Sequence, residues 1–305
     1  MNKTILITGG SGLVGKPLTR MLLQKGYNIH HLSRNPELHG NPRITVFKWD
    51  IDNSKIDESC IKGVSAIIHL AGEGIAEKRW AAKRKQQIIQ SRTGSINLLY
   101  NLIRKNPDHQ IETILSASAI GYYGNRDDEL LTEDSKPGNG FLPLACLEWE
   151  KAVDEGEKLN LRVVKLRTGI VLTDAGGALP EIVNPIRKGL GAPLGSGKQW
   201  MSWIHLQDVN KMYVFALENE QVRGTYNMTA PKPVTNVEIT NILAQILDKK
   251  LWLPNVPAFS LKLLLGEMSA LVLDSAKVSS SKIQSAGFSF DFPEVTGALK
   301  EIYLE

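Results

Sequence analysis

Cysteine is almost missing from this chain: Cys60 and Cys146 are the only two in 305 residues, far apart and without metal-ligand spacing. That excludes a disulfide framework and a structural zinc site, and points to a reducing compartment. Long apolar runs are missing too, since none approaches the ~20 residues needed to cross a bilayer. There is no tract of one charge sign: 36 Lys and Arg against 32 Asp and Glu leave a net charge of +4, with the cations scattered. Nucleic-acid binding gains little from that distribution. Repeats, low-complexity segments and a linker able to separate independent domains are also lacking. A strand-like run begins after three residues, leaving no room there for a signal peptide, so the expectation is a cytoplasmic protein with no membrane or nucleic-acid partner.

What is present is an ordinary globular composition, 42% hydrophobic and 22% charged, long enough for a large core and a second lobe. Its most informative stretch is Thr4-Ile-Leu-Ile-Thr8-Gly9-Gly10-Ser11-Gly12-Leu13-Val14-Gly15. An apolar strand runs into a glycine turn that opens a helix, the arrangement of a dinucleotide pyrophosphate site. Gly9 permits the sharp turn, Gly12 removes a Cβ where phosphate approaches, and Gly15 lets the helix press on the strand. The helix start offers free N–H groups and partial positive charge to the anion. Val14, Leu18, Met21 and Leu22 recur at helical spacing, and Lys25-Gly26 reads as the C-cap.

Further apolar runs at Asn28–Leu32, Ile44–Phe47, Ala66–Leu70, Ile114–Ala117 and Arg162–Leu166 alternate with helical stretches. The expected fold is α/β, a Rossmann-type doubly wound parallel sheet covered on both faces. Past about Leu172 the pattern loosens into Gly, Pro and aromatic residues. Residues 1–172 are therefore assigned to the nucleotide-binding domain, with some later segments returning to it. Residues 173–305 form a smaller C-terminal substrate lobe. The apolar stretch Leu261–Leu273 reads as core or a subunit contact rather than a membrane anchor, because Lys262, Glu267 and Asp274 interrupt it.

The residue closing the second strand meets the adenosine ribose in this fold. Here it is followed by Ser33-Arg34 with no carboxylate at the tip, which favours NADP(H) over NAD: Arg34 can pair with a 2′-phosphate, although a solvated loop arginine has the same sequence. Asp50 fits either an adenine contact or a turn. Leu70, Ala71 and Gly72 close the fourth strand with small groups where the cofactor passes the backbone. Arg92 falls on a buried helical stripe with Ile88 and Ile96. Its partner is a cofactor phosphate or hydroxyl, a protein carboxylate, or solvent at the stripe edge.

Together these residues resemble the extended short-chain dehydrogenase/reductases, and within them the atypical "epimerase family protein" group. The likeness rests on the glycine stretch, Ser33-Arg34, Leu70-Ala71-Gly72, Arg79-Trp80, Ser91-Arg92 and Ser116-Ala-Ser118-Ala-Ile-Gly-Tyr122-Tyr123-Gly124. It continues through Trp149-Glu150, Arg167-Thr-Gly-Ile-Val171-Leu172, Gly195-Ser-Gly197, Trp203-Ile-His205 and Gly287-Phe-Ser-Phe-Asp-Phe-Pro293. It spans nearly the whole chain, with a family-specific tail of uncharacterised function from about residue 253. The resemblance implies an NADP-binding Rossmann domain and cofactor contacts at Gly9, Gly12, Leu13, Val14, Gly15, Ser33, Arg34, Leu70, Ala71, Gly72, Arg92 and Val171. It also leaves a homodimer open.

The same resemblance implies chemistry by a Tyr four residues before a Lys, with a Ser orienting the substrate oxygen. Four residues before Lys151, however, stands Leu147, which has no proton to exchange. Ser118 matches the serine position, and Tyr122 or Tyr123 could supply a phenol, although paired aromatics in a glycine-flanked loop also serve as a wall. Lys151 without a partner reads as a solvated lysine. His205 reads as a hydrogen-bonded loop histidine, and no zinc triad assembles around it, so no metal is expected. Two functions compete. One is an oxidoreductase or epimerase acting with NADP(H) on a small carbonyl or sugar-nucleotide-type substrate; the other is a non-catalytic NADP(H)-sensing regulatory or binding protein.

Overall fold

The computed structural model describes residues 3–36 and 39–304. Ile5, Leu6 and Ile7 show no alternation between core and water: all three are buried, because β1 (Thr4–Thr8) lies inside a sheet covered on both faces. In chain order the strands that follow are β2 (Asn28–Ser33), β3 (Ile44–Asp50), β4 (Lys55–Ile56), β5 (Val64–His69), β6 (Thr113–Ala119) and β7 (Leu130–Leu131). After them come β8 (Arg162–Thr168), β9 (Ile170–Leu172), β10 (Trp200–Met201), β11 (Trp203–His205) and β12 (Gly224–Met228). Eight of these form one sheet in the order β12-β8-β6-β5-β1-β2-β3-β4, parallel except for the β3–β4 pair at one edge.

Strand order reverses between β1 and β5, so the loops leaving their carboxyl ends diverge and open a crevice. Those two loops are the glycine turn and Leu70-Ala71-Gly72. One face of the sheet is covered by α1 (Gly15–Gln24), whose Leu18 and Leu22 pack on Ile5 and Ile7. On the opposite face, α2 (Ala82–Lys105) and α3 (Phe141–Asp154) bring Ile96, Leu99 and Trp149 against Leu6 and Ile67.

The second lobe begins with α4 (Ala178–Arg187). The chain then returns to the α1 side as α5 (Leu206–Glu218), which buries Val209 and Met212 in the same cluster as Leu18. Next come α6 (Asn236–Ile246), α7 (Ala258–Leu265), α8 (Ala270–Leu273), α9 (Ser281–Ser285) and α10 (Val295–Leu304). Leu179, Val183, Ile239, Leu243 and Leu299 form the core of this lobe. The start of α6 is fixed by a capping box in which Thr235 and Glu238 satisfy each other's backbone N–H.

The tail is pinned to the sheet domain by Asp208, whose two carboxylate oxygens accept from the backbone N–H of Asp291 and Phe292 at 2.8 and 3.0 Å. His205 adds a 2.9 Å contact to Glu301. No helix among the described residues is long and apolar enough to cross a membrane.

Two elements differ from the sequence pattern. β12 lies in the main sheet although no apolar run announces it: the strand carries Asn227, buried but bonded to Tyr123 and to the Ser279 carbonyl, so a satisfied polar group interrupts the hydrophobic signal. The apolar stretch Leu261–Leu273 is broken at Gly266, whose φ of +60° ends α7, and the outward side of α7 is exposed rather than core.

Candidate functional site

The glycine turn has the geometry its residues call for. Gly9 takes φ +70°, and the Gly12 N–H donates to its carbonyl at 3.0 Å. A Cβ on Gly15 would lie 2.2 Å from the Gly9 oxygen, so only glycine lets α1 start this close to the strand. Gly10 rests on the His31 imidazole, where a Cβ would come within 2.5 Å of Nε2. That nitrogen also meets Thr19 Oγ1 at 2.9 Å. Burial, and then the nearby His39, hold the His31 pKa down to about 4, so a neutral ring forms the floor of the loop. No side chain caps α1 and no acid stands in its first turn, which leaves the helix start open to an anion.

The opposite wall is built from β5. Thr8 Oγ1 accepts from the N–H groups of Leu70 and Ala71 at 3.1 and 3.0 Å, which locks the turn beside the glycine loop. Val14, Leu70 and Val171 pack together against one core cluster, although they come from three distant parts of the sequence. Leu13 faces Gly176-Gly177: a Cβ on either glycine would lie 3.7 or 3.6 Å from its methyl groups. Nothing in the sequence pattern linked that pair to the site. Only the folding of β9 back over the loop brings it there.

Arg92 lies directly under Gly72, where a Cβ would fall 3.0 Å from its Cζ. Its guanidinium donates to the carbonyls of Ile88 (2.9 Å) and Glu73 (3.0 Å) and stacks over Trp149 at 5.0 Å. Of the partners the sequence left open, the protein itself supplies backbone carbonyls rather than a carboxylate. Burial draws its pKa below the usual arginine value. At the adenosine end, Ser33 Oγ bonds both the carbonyl and the N–H of Asn35, and this turn exposes Arg34 beside the crevice. Asp50 is a turn residue, accepting from Asn53 N and Nδ2 at 3.1 and 2.8 Å.

Where β6 meets α3, the polar side chains form a buried network. Ser118 is 3% exposed, and its hydroxyl donates to Glu150 at 2.6 Å instead of facing the crevice. Glu150 in turn receives Arg167 through two bonds, Nε and Nη2, each 2.8 Å long. Arg167 also donates to Tyr123 Oη at 3.0 Å, and Tyr123 donates to Asn227 at 2.6 Å. Burial opposes the Arg167 charge, but the hydrogen bonds and charge of Glu150 outweigh it and raise its pKa. Burial pushes the Tyr123 phenol up to about 12, so it stays protonated at neutral pH.

The guanidinium lies 3.5 Å from the centre of the ring of half-buried Tyr122. The face of α3 that touches the β6 loop carries Leu142 and Cys146, 3.5 and 3.6 Å from a Cβ position on Gly121. Lys151 is not on that face. It pairs with Glu148 in solvent, in keeping with its reading as a solvated lysine. Burial pushes the Cys146 thiol up to about 12, so it stays protonated at neutral pH.

His205 is committed to Glu301 and to the Gln207 N–H, as a loop histidine. No group of three metal-ligating side chains occurs among the described residues. A cavity of about 380 Å³ between Lys55, Glu58, Leu98 and Asn101 is lined by no residue of either loop and brings no reactive constellation together.

The fold and the glycine-turn crevice define a dinucleotide-binding α/β protein of the short-chain dehydrogenase/reductase kind. The profile described as the NAD dependent epimerase/dehydratase family matches residues 5–229, and a domain of unknown function, DUF1731, matches residues 256–302. The chain belongs to that epimerase/dehydratase family. It is 34% identical over 299 residues to epimerase family protein YfhF of Bacillus subtilis, covering 98% of this chain and 97% of that protein. The SDR39U1 homolog of Arabidopsis thaliana, described as chloroplastic, is 35% identical, with 98% of this chain and 86% of that protein covered. Among solved structures, human epimerase family protein SDR39U1 (isoform2), crystallised with NADPH, superposes with a TM-score of 0.86 at 29% identity, covering 99% of each chain.

Proposed function

We propose that this chain binds NADP(H) along the crevice between the glycine turn and Leu70-Ala71-Gly72, and that it is an oxidoreductase or epimerase acting on a small carbonyl or sugar-nucleotide-type substrate. When bound, the nicotinamide supplies hydride exchange. The observation that carries the reading is the glycine turn, where Gly9, Gly10 and Gly15 occupy positions a Cβ would fill and α1 opens uncapped. The NADPH-bound human relative supports the same cofactor. Arg34, exposed at the β2 tip, takes the 2′-phosphate. Arg92 holds the Glu73 segment over the crevice through the Glu73 carbonyl, while Gly9 to Gly15, Leu70 and Val171 shape the walls.

Tyr122 is the group proposed to move a proton at the substrate oxygen. Ser118, whose hydroxyl is committed to Glu150, is a positioning residue that fixes the Glu150–Arg167 pair under the Tyr122 ring. A second reading, a non-catalytic NADP(H) sensor, is favoured by one observation: the tail packs Leu265, Ala270 and Leu271 in the same cluster as Leu142, covering α3 where a relay would stand.

The test incubates 4R- and 4S-deuterated NADPH with nucleotide sugars and small carbonyl compounds and follows label into product. Transfer that falls roughly 10²–10⁴-fold in Tyr122→Phe supports the enzyme. Tight NADPH binding without transfer selects the sensor. Absence of calorimetric binding for either nicotinamide dinucleotide removes both.

A further inference from the structure

The helix α7 (Ala258–Leu265) presents an apolar ridge that none of the described residues covers. Its inner side is used: Leu261 is buried, and Leu265 packs with Trp80, Ile88 and Met268. Its outer side is not, since Phe259, Leu263 and Leu264 are 73%, 82% and 66% exposed. Three such side chains on one short helix make a contiguous patch of a few hundred Å², a size that on a monomer usually has a use.

Cations surround the ridge. Lys262 projects from α7 itself, Arg79 donates to the Leu264 carbonyl, and Lys85 pairs with Glu267 just past the helix end. This places the amino-terminal end of α2 and its preceding loop beside α7. The two segments, 73–85 and 258–267, together hold six basic and three acidic residues. Two of those acids, Glu73 and Glu77, are taken up by the buried Arg84, which leaves Lys78, Lys83 and Lys262 without a carboxylate partner among the described residues. Cations gathered at the positive end of a 24-residue helix with no acid in its first turn repel one another unless an outside anion answers them.

We propose that this ridge is a peripheral docking surface for an anionic lipid bilayer, with Phe259, Leu263 and Leu264 entering the headgroup boundary and Lys78, Lys83 and Lys262 facing the lipid phosphates. Apolar residues flanked by lysines on a surface helix are what interfacial binding requires. A second copy of the chain fits less well. A two-fold contact would set this basic rim against its own image, and the ridge offers well under the ~800 Å² per partner of a stable interface.

Sedimentation of the full chain with vesicles tests this, comparing phosphatidylcholine alone with phosphatidylcholine containing about 30 mol% phosphatidylglycerol. The variants are Phe259→Ser with Leu263→Ser, and Lys83→Glu with Lys262→Glu, each checked for an unchanged circular-dichroism melt. The expected result is binding to the anionic vesicles only, at least about tenfold weaker at 0.5 M salt and in either double variant. Three results overturn the proposal: no partition into anionic vesicles, partition indifferent to the Phe259/Leu263 change, or a concentration-dependent dimer or polyglutamate complex that is lost in that variant while vesicle binding is not seen.

Discussion

Replacing Arg167 by methionine probes the buried network most directly. The Glu150–Arg167 pair has side chains only 7% and 4% exposed and two parallel bonds of 2.8 Å, so removing the cation strands a carboxylate whose one remaining side-chain donor is the Ser118 hydroxyl. Breaking such a pair from one side costs about 3–5 kcal/mol, a large share of a typical ~5–15 kcal/mol stability. Substituting both partners, Glu150→Leu with Arg167→Met, leaves no unpaired charge and is expected to cost markedly less than the single change. Urea unfolding followed by tryptophan fluorescence at pH 7 measures both variants. The reasoning is refuted if Arg167→Met costs under about 1 kcal/mol, or if the double change costs as much as the single one.

Arg34→Ala is expected to weaken NADP(H) binding by about 1–3 kcal/mol while leaving NAD(H) nearly unchanged, as read by calorimetry; equal losses for both cofactors would remove the 2′-phosphate assignment. Gly15→Ala places a Cβ 2.2 Å from the Gly9 oxygen, so both the melting temperature and dinucleotide affinity drop, by about 1–3 kcal/mol in stability. His31 is held at about 4 and His69 at about 3, against 6.5 when unfolded, so the unfolded chain binds protons that the folded one refuses. Stability is therefore full above pH 6.5 and falls as pH drops toward 4, by of order 3 kcal/mol per histidine; His31→Gln should flatten that slope, and an unchanged slope would contradict it. Asp208→Ala removes the acceptor for the Asp291 and Phe292 N–H groups, so hydrogen exchange in residues 288–304 should accelerate while β1 stays protected.

Much of the molecule follows from short-range chemistry that any reader of the sequence can apply. Glycine at 9, 12 and 15 between an apolar run and a helical stripe marks strand, turn and helix, because a turn whose helix starts this close to the strand has no room for a Cβ at Gly9 or Gly15. The alternation of apolar runs with amphipathic helices likewise dictates a parallel sheet and places the crevice at its carboxyl edge. The absence of a Tyr four residues before Lys151 was also plain from spacing alone. What spacing could not supply was facing. A helix rotates its side chains by about 100° per residue, and the packing of α3 on the β6 loop decides that Leu142, Cys146 and Glu150 point inward while Lys151 does not. The partner of Ser118 lies 32 residues away and that of Glu150 a further 17, so only tertiary contact pairs a hydroxyl, a carboxylate and a guanidinium that look like unrelated polar residues in the sequence. The same holds for Asn227 and for the uncovered side of α7. Burial is a property of neighbours, and neighbours are chosen by the whole fold.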